Sequence, residues 1–105
     1  MKNLKRMNKD FQIIKKLQED LKDDPKNIEL LNKIGIYYFR IENLIQAEFY
    51  YKKALTIDPN NISVLNNLAI LKQRNSPKES ISLYKKILLI NKNLFEVRYN
   101  LSQCY

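Results

Sequence analysis

Apolar residues recur along the chain every three or four positions, the spacing that gathers side chains on one face of an α-helix instead of alternating them across a strand. Leu31, Ile34, Tyr38 and Ile41 make one such stripe, and Leu44, Ala47, Tyr51 and Ala54 make the next. Phe11, Ile14, Leu17 and Leu21 step the same way earlier in the chain. The stripes break at Asp24-Pro25 and Asp58-Pro59, where the missing N–H and fixed φ of proline stop one helix and let another begin. Ser76-Pro77-Lys78-Glu79 reads as a capping box, with the Ser hydroxyl on the helix start, Pro at the first position and Glu reaching back. The pattern therefore predicts helices over 9–23, 28–41, 44–57, 62–74, 77–90 and 95–105, with no strand and no long linker.

The helices come in repeats. Asp24-Pro25-Lys26-Asn27 returns as Asp58-Pro59-Asn60-Asn61 after 34 residues, and the run from Tyr51 to Ile57 returns from Tyr84 to Ile90 after 33. One residue is lost inside the second unit, and each unit is a pair of helices. A chain of 105 residues has room for one domain or a piece of one, so no second domain is expected.

Composition narrows the chemistry. Hydrophobic residues are 45%, charged residues 29%, and there is one Gly and no His, which suits a folded helical chain. With a single cysteine, Cys104, there is no internal disulfide, no Cys–His nucleophile and no ordinary zinc site. Cys104 reads as a small apolar helix residue. The acidic pair Asp23 and Asp24 stands beside a helix end with no companion base or ligand, and reads as helix termination. No Gly-rich loop is present to cradle phosphate, so neither catalysis nor a cofactor nor a metal is expected. The basic start has no apolar run behind it for a signal peptide or a span, which makes a cytoplasmic location the expectation.

The formal charge of +8 comes from 15 Lys against 4 Arg, a Lys surplus that speaks more for solubility than for nucleic acid. It is also unevenly spread. Residues 1–27 hold eight cations against five carboxylates and residues 62–94 hold six against one, while 28–61 and 95–105 are neutral. Tyr37, Tyr38, Tyr50, Tyr51 and Tyr84 fall at packing intervals in helices, which favours a packing role over a base-stacking platform.

Leu31-x-x-Ile34-Gly35-x-x-Tyr38, followed by Ala47-x-x-x-Tyr51, Ala54 and Pro59, resembles the tetratricopeptide-repeat signature, with Leu31 in place of Trp and Tyr51 in place of Phe. The second unit keeps Leu65-x-x-Leu68-Ala69 and Ser80-x-x-x-Tyr84, but Lys72, Ile87 and Lys92 replace the usual Tyr, Ala and Pro. A third begins at Tyr99-Asn100-Leu101-Ser102. The resemblance implies an all-α, right-handed superhelical solenoid of antiparallel hairpins. Its parts would be an N-terminal capping helix or half-repeat in 1–27, repeats over 28–61 and 62–94, and the first helix of a third in 95–105. Small residues, Gly35, Ala47, Ala54, Ala69, Ser80 and Ser102, stand where helix backbones approach closely.

The resemblance further implies a concave groove lined by the first helix of each unit, which places Asn32, Lys33, Ile36 and Arg40 there from one unit and Asn66, Asn67, Ile70 and Arg74 from the next. Tyr99, Asn100 and Gln103 continue it. Amides donate and accept, so Asn67 and Asn100 suit the backbone of an extended peptide. The carboxylate clamp by which members of the family grip acidic chaperone tails is incomplete. Asn67 fits, whereas Asn32, Ile36, Glu96 and Asn100 replace the expected Lys, Asn, Lys and Arg. The reading is a protein-interaction module. Two alternatives stay open: self-association through Val97, Leu101, Cys104 and Tyr105 on an uncovered last helix, or nucleic-acid binding by a basic outer face carrying Lys78, Lys85, Lys86 and Lys92.

Overall fold

The computed structural model describes residues 4–91 and 95–104, and for residues 95–99 the backbone alone. Two compact units meet between Ile57 and Asp58. The first holds α1 (Leu4–Asp23), α2 (Ile28–Arg40) and α3 (Leu44–Ile57). The second holds α4 (Ile62–Asn75), α5 (Pro77–Ile90) and α6 (Phe95–Cys104). There is no strand among the described residues, and none of their helices is long and apolar enough to cross a membrane. Within the first unit α2 packs on both α1 and α3; within the second α5 packs on both α4 and α6.

Helix starts are fixed by asparagines. Asn27 Oδ1 accepts from the Leu30 amide at 3.1 Å while its Nδ2 donates to Asp24 Oδ2 at 3.0 Å. Asn61 repeats this with the Val64 amide at 3.1 Å and Asp58 Oδ2 at 3.5 Å. The side chains of Asp and Asn thus satisfy each other as well as one of the orphan donors of the helix they precede. Proline stops the chain, but the Asn three positions after the Asp is what starts it again.

The α2–α3 turn takes three residues. Glu42 donates its amide to Phe39 O at 3.0 Å and Asn43 donates to Tyr38 O at 2.9 Å, a Schellman arrangement whose left-handed position is held by Glu42 at φ 63°. Asn43 Oδ1 then accepts from the Gln46 amide at 3.3 Å and opens α3.

Two expectations are corrected. Ser76 does begin α5, with Pro77 at its first turn, but its hydroxyl makes no capping bond. Ser76 is also the last residue of the preceding turn, donating to Lys72 O at 2.8 Å, and its φ of −151° serves both helices. Glu79 is drawn instead to Lys72 Nζ at 3.3 Å, because a lysine only 8% exposed needs a counter-charge. In α1, the helix begins at Leu4 and not residue 9, and its packed face is Asp10, Ile14 and Leu21; Phe11 is 46% exposed.

Cores of the two units are built alike. In the first, Tyr51 is 2% exposed and lies against Gly35, where an added Cβ would stand 2.7 Å from its Cδ1. Tyr38 stacks on Tyr50 with centroids 5.8 Å apart, and Gln18 Nε2 donates to both hydroxyls, at 3.2 and 3.1 Å. In the second, Tyr84 is buried with its hydroxyl accepting from Gln73 Nε2 at 3.1 Å, and Ser80 Oγ donates to Ala69 O at 2.8 Å. These tyrosines are consumed by packing. Burial also pushes the Tyr51 hydroxyl well above the usual phenol range, so it stays protonated.

Candidate functional site

In the first unit α2 buries Leu31, Ile34 and Gly35, which leaves Asn32, Lys33, Ile36 and Arg40 on its other side. Asn32 and Ile36 are half-buried, and Lys33 and Arg40 are exposed. Arg40 is committed further than its exposure suggests. Its Nε stands 3.3 Å from Asp10 Oδ2, and its guanidinium lies over the Tyr37 ring at 5.2 Å from the centroid. The Asp10 side chain is 6% exposed and that of Arg40 43%, so the carboxylate is covered and the cation still reaches water. Asp10 replaces Phe11 on the packed face because Arg40 offers it a charge partner there.

In the second unit α4 places Asn66, Asn67 and Ile70 half-buried and Arg74 exposed. Asn66 Oδ1 is buried without a partner among the described groups, so this residue can present only its amide nitrogen. On α6, Asn100 is half-buried, with its carbonyl accepting from Cys104 Sγ at 3.5 Å, and Gln103 is exposed. The side chain of Tyr99 lies outside the described residues, as do those of Glu96 and Val97 and the whole of Lys92 and Tyr105. Cys104 Sγ is 3.6 Å from Ser80 Oγ, which turns it toward α5 and away from the uncovered face expected for it. Lys78, Lys85 and Lys86 are exposed on α5.

Sequence reasoning missed one feature of the first unit. An open cleft of about 610 Å³ lies between the start of α1 and the end of α2, lined by Lys5, Arg6, Lys9, Asp10, Ile13, Tyr37 and Arg40. Of these only Arg40 was expected at a binding face. The signal was available in the basic residues at positions 5, 6 and 9, but it becomes a site only once the helix is known to start at Leu4, which brings their helix face beside Arg40.

Comparison with known proteins follows the same lines. Two tetratricopeptide-repeat models match, over residues 28–61 and 50–76. An uncharacterized protein ycf37 of Pyropia yezoensis is 40% identical over 65 residues, covering 61% of this chain and 36% of that protein. An uncharacterized protein ycf37 of Porphyra purpurea is 31% identical over 81 residues, covering 72% of this chain and 47% of that one. The match thus spans less than half of either relative. Among solved structures, the first TPR of Spaghetti (RPAP3), bound to the HSP90 peptide SRMEEVD, superposes with a TM-score of 0.81 at 20% identity, covering 95% of this chain and 85% of that one. That likeness is one of fold.

Proposed function

Because the chain belongs to the tetratricopeptide-repeat family, we propose that it is a non-catalytic interaction module whose first-helix faces receive an extended segment of a partner protein. The observation that carries this reading is the division of α2 and α4. In each, Leu31, Ile34 and Gly35 or Leu65, Leu68 and Ala69 are spent on the core, while Lys33 and Ile36, or Asn67 and Ile70, are left half-buried or open on another side. Polar groups with adjacent aliphatic ones suit a peptide backbone and its side chains. A cytoplasmic setting belongs to the same proposal.

The solved neighbour holds an HSP90 peptide. This chain keeps only Asn67 at the positions where the family grips such tails; Asn32 and Asn100 carry no cation and Ile36 no amide with which to hold a terminal carboxylate. Peptides ending Glu-Glu-Val-Asp should therefore not be held at these positions; saturable binding abolished by Asn67→Ala would refute that. The module reading itself is tested by capturing partners on immobilised protein and on Asn67→Ala/Asn100→Ala. Loss of the captured set supports the second unit's face as the contact, and an unchanged set removes it.

A further inference from the structure

The cleft at the start of α1 is strongly charged. Lys5, Arg6, Lys9 and Arg40 line it, against one carboxylate, Asp10. That carboxylate is already engaged by Arg40 Nε and buried, so it offers little to a ligand of positive charge. Ile13, 36% exposed, and Tyr37 supply an apolar lining among the cations. Lys5 and Lys9, four residues apart on one helix, rise on the same side.

We infer that this cleft is a docking site for an acidic peptide segment carrying an aliphatic or aromatic residue. Four cations against one carboxylate give the lining a net charge of three, with Arg40 already paired to Asp10, and that excess favours anions. A volume of about 610 Å³ takes a few side chains rather than a folded surface. The Arg40 guanidinium, held over Tyr37 and by Asp10, is pre-oriented, so little rotamer freedom is lost when a carboxylate meets it. The apolar lining separates a peptide from a bare phosphate chain, which would leave Ile13 without a partner. The site lies wholly within the first unit and uses none of the amides assigned to the second. The inference rests on the protein-interaction reading, but it fails or stands separately from the Asn67 and Asn100 contact.

The test is fluorescence anisotropy with a labelled dodecapeptide of Glu and Asp around a central Leu-Phe pair, with its Gln/Asn counterpart and with single-stranded polyuridine. Lys5→Gln/Lys9→Gln, both at exposed positions, should weaken the acidic peptide roughly tenfold, the worth of two surface ion pairs. The Lys78→Gln/Lys85→Gln/Lys86→Gln variant removes more charge at another place and should leave the affinity within about twofold. Ile13→Ser should weaken the peptide at constant charge. Asn67→Ala/Asn100→Ala should leave this peptide's affinity unchanged even where it abolishes partner capture. Equal losses from the two lysine sets, equal binding of the Gln/Asn peptide, or tighter binding of polyuridine than of the acidic peptide would each overturn the assignment.

Discussion

Replacing Gly35 by Ala tests how the first hairpin is spaced. In an exposed helix the change would stabilise by about 1 kcal/mol, since Gly is the poorer helix former. Here the new methyl would stand 2.7 Å from Tyr51 Cδ1 and 3.1 Å from Cζ, where carbon atoms normally sit ~3.5–4.0 Å apart. Tyr51 is 2% exposed, so its ring cannot move out into solvent without opening the unit, and α2 and α3 must part or the ring must leave its rotamer. Overpacking of this kind costs ~1–3 kcal/mol, and the severity of the overlap places it at the upper end. Offset by the helix propensity, the net loss is about 2 kcal/mol, or a fall in Tm of roughly 10 °C for a domain of this size. Thermal melting followed by far-ultraviolet circular dichroism reads it directly. The same substitution in a Tyr51→Leu background should become neutral or stabilising, because only the propensity term remains. A Gly35→Ala protein as stable as the parent, or a loss of the same size in both backgrounds, would show that the glycine does not set the helix separation.

Three further outcomes follow from the same geometry. Asn27→Ala and Asn61→Ala should each cost about 1 kcal/mol in urea titrations, the worth of a side-chain helix cap, whereas Ser76→Ala, which loses no capping bond, should cost clearly less; equal losses at all three would contradict the cap assignment. Glu42→Gly should raise Tm by a few degrees, since relief of the left-handed conformation, about 1 kcal/mol, exceeds the ~0.5 kcal/mol lost to a freer unfolded chain. A lower Tm would refute it. Arg40→Ala should destabilise by about 1–2 kcal/mol, less than a fully buried pair because the arginine is half open to water, and adding Asp10→Asn should recover part of the loss; additive losses would mean that the two groups are not coupled.

Much of the fold was legible because short-range rules dominate it. The three-to-four spacing of Leu31, Ile34 and Tyr38, and the 34-residue return of Asp-Pro, are local signals, and the helices lie where they point. Errors fell where a distant partner outbid a local preference. Phe11 is the more apolar residue, yet Asp10 takes the buried place because Arg40, thirty positions later, can pair with it. Glu79 fits a capping box by spacing, yet it turns to Lys72, which stands where the first unit has Tyr38 and which no apolar pattern would bury. The basic cleft was hidden for the same reason. Positions 5 and 6 fall before a helix expected to begin at residue 9, and they join its face only when α1 is extended to Leu4, an extension favoured by tertiary contact with α2 rather than by a stripe of apolar residues.

The Asp-Pro-x-Asn turn closes its own hydrogen bonds within four residues, at both places where it occurs. A segment bounded by such turns carries its stop and its start with it, so it can be copied, lost or transplanted as a coding cassette without leaving a raw helix end in the neighbours. The boundary between the two units falls at the second of these turns. Between such turns the helices differ: Lys72 stands where the first unit has Tyr38, and Ser80 where it has Ala47.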